Sequence, residues 1–364
     1  MTMTGGVLAR YFGLRFLSAV LIVFAGIFSL AALIDYVELA RRASDIPGVS
    51  ALVIVKTSIY RIPQLTERLM PFCVLIGAMS CYLNLSRRLE LVIARAAGVS
   101  AWQFVAPAVF VAFALGILAT AIYNPISAIM QEQAKRLEAS IFGDNSNSRE
   151  VGGLFWIRQR TDSGESIISA RSSRNQGVEL SGVTIFTFGT DGRFKERIQA
   201  KSAVLGPSAW QVSDARIFQQ GQAPRSVATM PLPTSLTPEQ VRESFATPET
   251  VPFWDLPEYI TIAERAGLVA AGYRLQFQKL LSRPFLLAAM VILAAAVSLR
   301  FFRFGGVQKM VLGGILAGFM LYVLSKITED MAKAELMHPV AAAWFPAFIG
   351  GVTGFVALLY QEDG

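Results

Sequence analysis

The side chains with the clearest capacity for chemistry are cations. Arg41 and Arg42 stand directly behind the first apolar run, Arg61 and Arg68 precede the second, and Lys135 and Arg136 follow the third. Guanidinium forks and an ammonium gathered at one mouth of a helix bundle would bind phosphate groups of an amphiphile whose acyl chains occupy the apolar interior. The same six side chains would equally suit snorkelling to anionic lipid head groups at a membrane surface. No bond-making constellation accompanies them. His338 is the only histidine, and the chain contains no G-x-x-x-x-G-K-[ST], H-E-x-x-H or G-x-S-x-G. We therefore expect no enzyme, no metal site and no cofactor of its own. His338, beside Pro339, reads as a polar residue at the outer membrane interface. The acidic pairs Glu38 with Asp45 and Glu329 with Asp330 read as exposed carboxylates at loop edges.

A second constellation lies in residues 85–100, LSRRLELVIARAAGVS, a short amphipathic segment between two long apolar runs. On a helical wheel Leu85, Leu89, Val92, Ile93 and Ala96 share one face, while Arg87, Glu90 and Arg95 occupy the opposite arc with Leu91 among them. An apolar residue in a charged arc suggests a contact surface. A solvated connecting loop that obeys the positive-inside rule would carry the same arginines.

The elements that must position these residues are membrane spans. With 53% hydrophobic and 16% charged residues over 364 positions, the chain is too apolar for an ordinary soluble domain. Six stretches qualify: 16–34, 69–85, 101–123, 284–299, 311–327 and 341–360. The second and fourth have short apolar cores and are expected to continue as longer helices into water. The first lies behind Arg10 and Arg15, is longer than a signal-peptide core, and is expected to stay as an anchor. Six spans put both termini on one side. On that side the N-terminal segment and the 85–100 and 299–310 connections carry Arg10, Arg15, Arg87, Arg88, Arg95, Arg300, Arg303 and Lys309 with only Glu90 against them, so it is expected to be cytoplasmic. Net charge is +7, yet residues 144–255 hold twelve basic and twelve acidic side chains, so the excess belongs to membrane topology and not to nucleic-acid binding. Cys73 and Cys81, eight helical residues or roughly 12 Å apart, are too distant for a bridge.

The span centres lack the ionisable residues a proton or ion relay would need. They carry small residues at four-residue spacing instead: Ala112, Gly116 and Thr120; Gly314 and Gly318; Gly350 and Gly354. Such spacing permits close helix packing, internal for the third and sixth spans, and for the fifth either internal or against a second subunit. Asn124 and Pro125 are expected to break the third span, and 130–142 to form a polar helix beyond it. Then the period changes to short alternating segments, with strands expected at 154–158, 166–170, 183–188, 193–201, 210–212, 215–218 and 226–230, and a hairpin at Thr190, Asp191 and Gly192. Short strands so spaced predict a sandwich or jelly roll. A proline-rich stretch, 231–257, leads through a helix at 256–266 back to the membrane. The fold class is thus an α-helical membrane protein with six transmembrane helices plus an inserted periplasmic all-β, jelly-roll-like domain. Its parts are 1–142 with the amphipathic segment at about 85–100, 143–255 for the β domain, and 256–364 for the return helix and last three spans.

This order of parts resembles the LptF/LptG (YjgP/YjgQ) permease family of the lipopolysaccharide exporter. RYFGLRFLSAVLIVFAGIFSLAALIDYVELARRA, SRRLELVIARAAGVS and GFMLYVLSKI carry the likeness, which covers essentially the whole chain. It implies a permease half of an ABC-type transporter that pairs with an LptF-like permease, sits on two copies of an LptB-like ATPase that uses ATP and Mg, and takes an LptC-like membrane helix beside its gate. Lipopolysaccharide would enter from the outer leaflet of the inner membrane and pass to an LptA-like periplasmic bridge. In that family the helix after the second span is the coupling helix and its glutamate, here Glu90, the main ATPase contact. Arg87, Arg88 and Leu91 become its candidate neighbours in docking. The family's outer cations map to Arg41, Arg42, Lys135 and Arg136. One branch of the family commonly has lysine where this chain has Asp35, which reverses a charge at the cavity rim. A scaffold that merely presents its β domain would need no coupling helix.

Overall fold

The computed structural model describes residues 3–44, 46, 49–142, 155–161, 164–174, 177–189, 193–219, 221–234, 247–265, 270–303 and 307–362. The chain divides into two compact units, one formed by Met1–Ala134, Pro252–Trp254 and Arg274–Gly364, the other by Lys135–Val251 and Asp255–Tyr273. The helices are α1 (Met3–Ala43), α2 (Ala51–Arg87), α3 (Glu90–Ala96), α4 (Ala101–Leu118), α5 (Asn124–Phe142), α6 (Leu256–Arg265), α7 (Ala271–Arg303), α8 (Val307–Lys333) and α9 (Pro339–Glu362). Among the described residues six helical stretches are long and apolar enough to cross a membrane: Gly6–Ala43, Ala51–Arg87, Ala101–Glu138, Ala271–Leu299, Val311–Lys333 and Pro339–Tyr360. The second begins well before residue 69, and the third does not stop at Asn124.

Proline explains both the expected break and its absence. A proline in a helix has no N–H for the carbonyl four residues before it, and in hydrocarbon an unpaired carbonyl is costly. Ahead of Pro125 the chain widens into a π-helical turn, Ala119–Tyr123, in which the Asn124 N–H reaches back to the Ala119 carbonyl. The Ala121 carbonyl, four residues before Pro125, accepts from Trp254 Nε1 at 3.0 Å. Pro284 inside α7 frees the Leu280 carbonyl, and Thr120 Oγ1 donates to it at 2.8 Å. Pro346 inside α9 frees the Ala342 carbonyl, which accepts from Thr328 Oγ1 at 3.0 Å. These three interruptions are thus repaired by side chains from elsewhere in the bundle, and the helices run on.

The small residues serve internal contacts. A Cβ on Gly116 would strike the backbone of Pro284, one on Gly77 would meet Val20 Cα, and one on Gly354 would press on the Leu293 backbone. Gly314 and Gly318, left open by the sequence between internal packing and a subunit interface, face Met79 and Leu75 of α2.

The least expected feature is an ion pair inside this bundle. Glu67 of α2 and Arg283 of α7 have side chains only 5% and 14% exposed, and Arg283 Nη1 lies 2.5 Å from Glu67 Oε1. Asn124 Nδ2 donates to the same oxygen at 2.8 Å, and Asn124 Oδ1 accepts from the Phe253 N–H at 3.0 Å. Thr66 and Tyr123 bond through their hydroxyls at 2.6 Å, one residue away on either side. A polar layer therefore joins α2, the π turn, α5, α7 and the 252–254 segment.

In the second unit seven strands form one antiparallel sheet: β1 (Phe155–Thr161), β2 (Gly164–Ala170), β3 (Ser172–Arg174), β4 (Glu179–Phe188), β5 (Phe194–Leu205), β6 (Ala209–Gln219) and β7 (Arg225–Pro233). Their order is β1-β2-β4-β5-β6-β7, with β3 on β4, a sequential meander. The two strands expected at 210–212 and 215–218 are one, β6, which passes Asp214 at φ 53°. Alternate residues bury Ile168, Val183, Ile185, Ile198, Val212 and fully enclosed Trp210 in one core. Gln159 of β1 donates to the Pro233 carbonyl at 3.2 Å and accepts from Thr234 Oγ1 at 2.6 Å, so the first strand meets the end of the last and the sheet is curled. The hairpin expected at Thr190–Asp191–Gly192 lies outside the described residues, although the strands on either side pair as a hairpin requires.

Removing one member of a buried pair leaves the other charge uncompensated, at a cost of about 3–5 kcal/mol. Arg283→Met should therefore lower the thermal unfolding midpoint of the purified protein sharply, and adding Glu67→Leu should recover much of the loss. A double variant less stable than the single one would rule out the desolvation argument.

Candidate functional site

Two regions of the membrane unit hold most of the residues singled out from the sequence. In the first, α2 ends at Arg87 and α3 begins at Glu90. The helical wheel assumes a continuous helix through this junction, and the structure breaks it: Leu89 adopts a left-handed backbone, φ 59°, while the Arg88 and Leu89 N–H groups close back on Asn84 and Ser86. Such a conformation is rare for a branched side chain. It re-phases every residue that follows. Leu91, read as an outward-facing contact, is 3% exposed and belongs to the core with Phe12, Leu85, Ala101 and Val105. Leu89, Val92 and Ile93, grouped on one apolar face with Leu85 by the wheel, are 57%, 45% and 66% exposed, whereas Leu85 is buried.

The segment accordingly presents three apolar side chains flanked by exposed Arg87, Arg88 and Arg95, with Leu91 as its anchor underneath. Glu90 is half-buried, and its Oε2 accepts from Tyr11 Oη of α1 at 2.9 Å. Tyr11 escaped the sequence reading because 79 residues separate it from Glu90 and nothing in its own surroundings points there. Ser100 and Gln103 then start α4 with a reciprocal capping box, which fixes the exit of the loop.

The second region lies at the opposite ends of α1 and α2. Arg41 and Arg42 are both exposed, and both guanidinium groups rest on the single carboxylate of Glu38, at 2.9 Å and 2.7 Å. The trio is held in place and keeps one net positive charge. Asp35, in contrast, is buried: Ser58 Oγ donates to its Oδ2 at 2.8 Å and Arg61 Nη1 lies 3.5 Å from its Oδ1. The charge reversal seen in the sequence is therefore compensated from α2. Arg68 is exposed on α2, while Lys56 sits 5.8 Å from the ring centre of Tyr60.

Lys135 and Arg136 belong to the second unit, where Lys135 Nζ donates to Thr247 Oγ1 at 2.6 Å. Four of the six expected cations thus lie in the membrane unit and two in the other. Glu329 is not a loose loop carboxylate as expected. Its side chain is 14% exposed and receives Lys279 at 2.8 Å and Lys333 at 2.7 Å.

Comparison with known proteins agrees with this arrangement. The model of the lipopolysaccharide export system permease LptF/LptG family matches residues 10–360. The lipopolysaccharide export system permease protein LptG of Escherichia coli (strain K12) is 23% identical over 354 residues, covering 94% of this chain and 95% of the relative. The protein of the same name from Haemophilus influenzae is 24% identical over 352 residues, with 94% and 95% covered. With a family match along nearly the whole length, on a chain whose six apolar stretches enclose a β unit after the third, the protein belongs to the lipopolysaccharide export system permease LptF/LptG family.

Proposed function

We propose that the chain is the LptG-type permease subunit of an ABC-type lipopolysaccharide exporter in the bacterial inner membrane. In this reading both termini and α3 face the cytoplasm and the β unit is periplasmic. The chain pairs with an LptF-like permease, two LptB-like ATPase subunits bind beneath, and an LptC-like membrane protein and an LptA-like bridge continue the path. ATP and Mg are bound by the ATPase, not by this chain.

One observation carries the reading most directly. Leu89, Val92 and Ile93 project from a short helix at the end where water is expected, flanked by arginines and Glu90. An apolar triad of this size in a charged frame is what a groove on a partner protein covers. The docking residues are therefore Arg87, Arg88, Leu89, Glu90, Val92 and Ile93. Leu91 is excluded, because its side chain is already packed. ATP-driven closure of the ATPase pair then moves α3 and tilts the spans attached to it.

The cations at the other end suit the phosphates of the cargo. Arg41 and Arg42 are aligned in advance by Glu38, which limits the rotamer entropy lost on binding. Arg61 and Arg68 complete the proposed set in the membrane unit, and Lys135 and Arg136 are proposed as cargo contacts of the second unit.

Co-expression of the chain with candidate ATPase and permease partners tests docking. Ile93→Glu and Glu90→Lys should each release the ATPase while the second permease stays bound. Retention of the ATPase by both variants would overturn the docking assignment. The rim is tested separately by photo-crosslinking of lipopolysaccharide. Arg41→Ala with Arg42→Ala should leave the complex assembled and lower crosslinking several-fold. Equal loss of assembly in the rim and docking variants would contradict the division of labour.

A further inference from the structure

The attachment of α3 to the rest of the chain is unequal in a way the docking reading does not use. Beneath it Leu91 sits in the common core, a contact that any tilt of the helix would leave free to slide. Beside it there is a directional chain of hydrogen bonds: Arg15 Nε donates to Tyr11 Oη at 3.2 Å, and Tyr11 Oη donates to Glu90 Oε2 at 2.9 Å. The Arg15 guanidinium also lies 5.3 Å from the centre of the Tyr11 ring. A cation donating to the phenol oxygen polarises the O–H and strengthens the bond it makes onward to the carboxylate. Cation and ring together hold the phenol in one orientation.

What this chain of bonds grips is α1. Residues Met3–Ala43 form one helix with no internal proline, so it moves as a rod. It is also the least buried of the six spans. At 1.5 Å per residue, Tyr11 and Arg41 are roughly 45 Å apart along it. One end of the rod holds Glu90 and the other carries Glu38, Arg41 and Arg42.

We propose that Tyr11, held by Arg15, is the positioning residue that hands the motion of α3 to α1. Glu90 serves both sides of the junction, with one carboxylate oxygen bonded to Tyr11 and the other open to a cation of the docked partner. A displacement of α3 then pulls the near end of α1 through a bond that resists sliding, and the rigid helix carries the displacement to its far, basic end. Tyr11 takes no part in holding the partner. This inference rests on the exporter reading, and specifically on docking at α3.

The test uses the assembled complex in proteoliposomes loaded with lipopolysaccharide, with bound ATPase, ATP hydrolysis and lipopolysaccharide released per ATP measured on the same preparation. Tyr11→Phe removes only the hydroxyl and keeps the ring. The expected result is wild-type ATPase retention, ATP hydrolysis within about twofold of wild type, and a several-fold fall in lipopolysaccharide released per ATP. A purely structural role would lower assembly, hydrolysis and release together, and a docking role would lower retention first; either pattern overturns the proposal. So does an unchanged ratio of release to hydrolysis. Glu90→Gln separates the two tasks of the carboxylate: its amide oxygen still accepts from Tyr11, so it should weaken ATPase retention while complexes that do assemble keep the wild-type ratio. If wild type itself retains no ATPase, the exporter reading fails, a result distinct from any change confined to Tyr11→Phe.

Discussion

A carboxylate and a guanidinium have been taken out of water together, on two different spans, and the membrane unit is arranged around that fact. Glu67 and Arg283 attract one another strongly in a medium of low dielectric constant, yet their desolvation can offset the whole of that gain. The pair alone would be a poor source of stability. Asn124 changes its consequence, since its amide donates to Glu67 and accepts from the Phe253 backbone. The three side chains fix the register of α2, α5 and α7, and the segment that returns to the bundle at residues 252–254. Around them the donors that repair the prolines, Thr120 for Leu280 and Trp254 for Ala121, bind the same helices. A hydrocarbon environment allows such freedom of proline placement only where the neighbouring groups are fixed in this way.

Rigidity in that layer leaves the freedom elsewhere. α1 packs on α2 and α4, with Gly77 admitting Val20 and Gly13 facing Val111, and it shows large apolar side chains such as Ile22, Leu30 and Leu33 on its other sides. α8 is the next least buried span, its glycines turned inward to Met79 and Leu75 and Leu312, Phe319 and Met320 outward. A bundle with a polar lock on α2, α5 and α7 can change shape at α1 and α8 without unpairing Glu67 from Arg283, and the charges that such movement would strain are Asp35 of α1, paired with Arg61, and Glu329 of α8, paired with Lys279.

Much of this was legible in the sequence, and the illegible parts share a cause. Long apolar runs and the change to period-2 alternation located the spans and the β insert, because both follow from burial against hydrocarbon or a sheet core and are local. Helix ends were misjudged where side chains distant in sequence repair a defect, as Trp254 does for the break expected at Pro125. Glu67 and Arg283 fell just outside the apolar windows of their spans, so they read as helix ends in water, and their partners lie 57 and 216 residues away. Glu329 was misread for the same reason, with Lys279 on another helix. The face of α3 was inverted by one residue: a leucine in a left-handed backbone carries no sequence signal, whereas a glycine at that position would have warned of it.

The balance of charge at the far ends of α1 and α2 follows a related logic. A carrier that must release its cargo is better served by cations that already have a carboxylate partner than by isolated ones, which bind a phosphate more tightly. Here two arginines share one glutamate and a third leans on a buried aspartate, so binding a phosphate means exchanging one anion for another and not neutralising an isolated charge. The free energy of that exchange is a small difference between similar terms. The compensation by Arg61 matters for the same reason: with Asp35 satisfied from α2, relative movement of α1 and α2 alters the geometry of the pair as well as the position of Arg41 and Arg42. In the proposed exporter, binding strength at the rim would thereby depend on helix position.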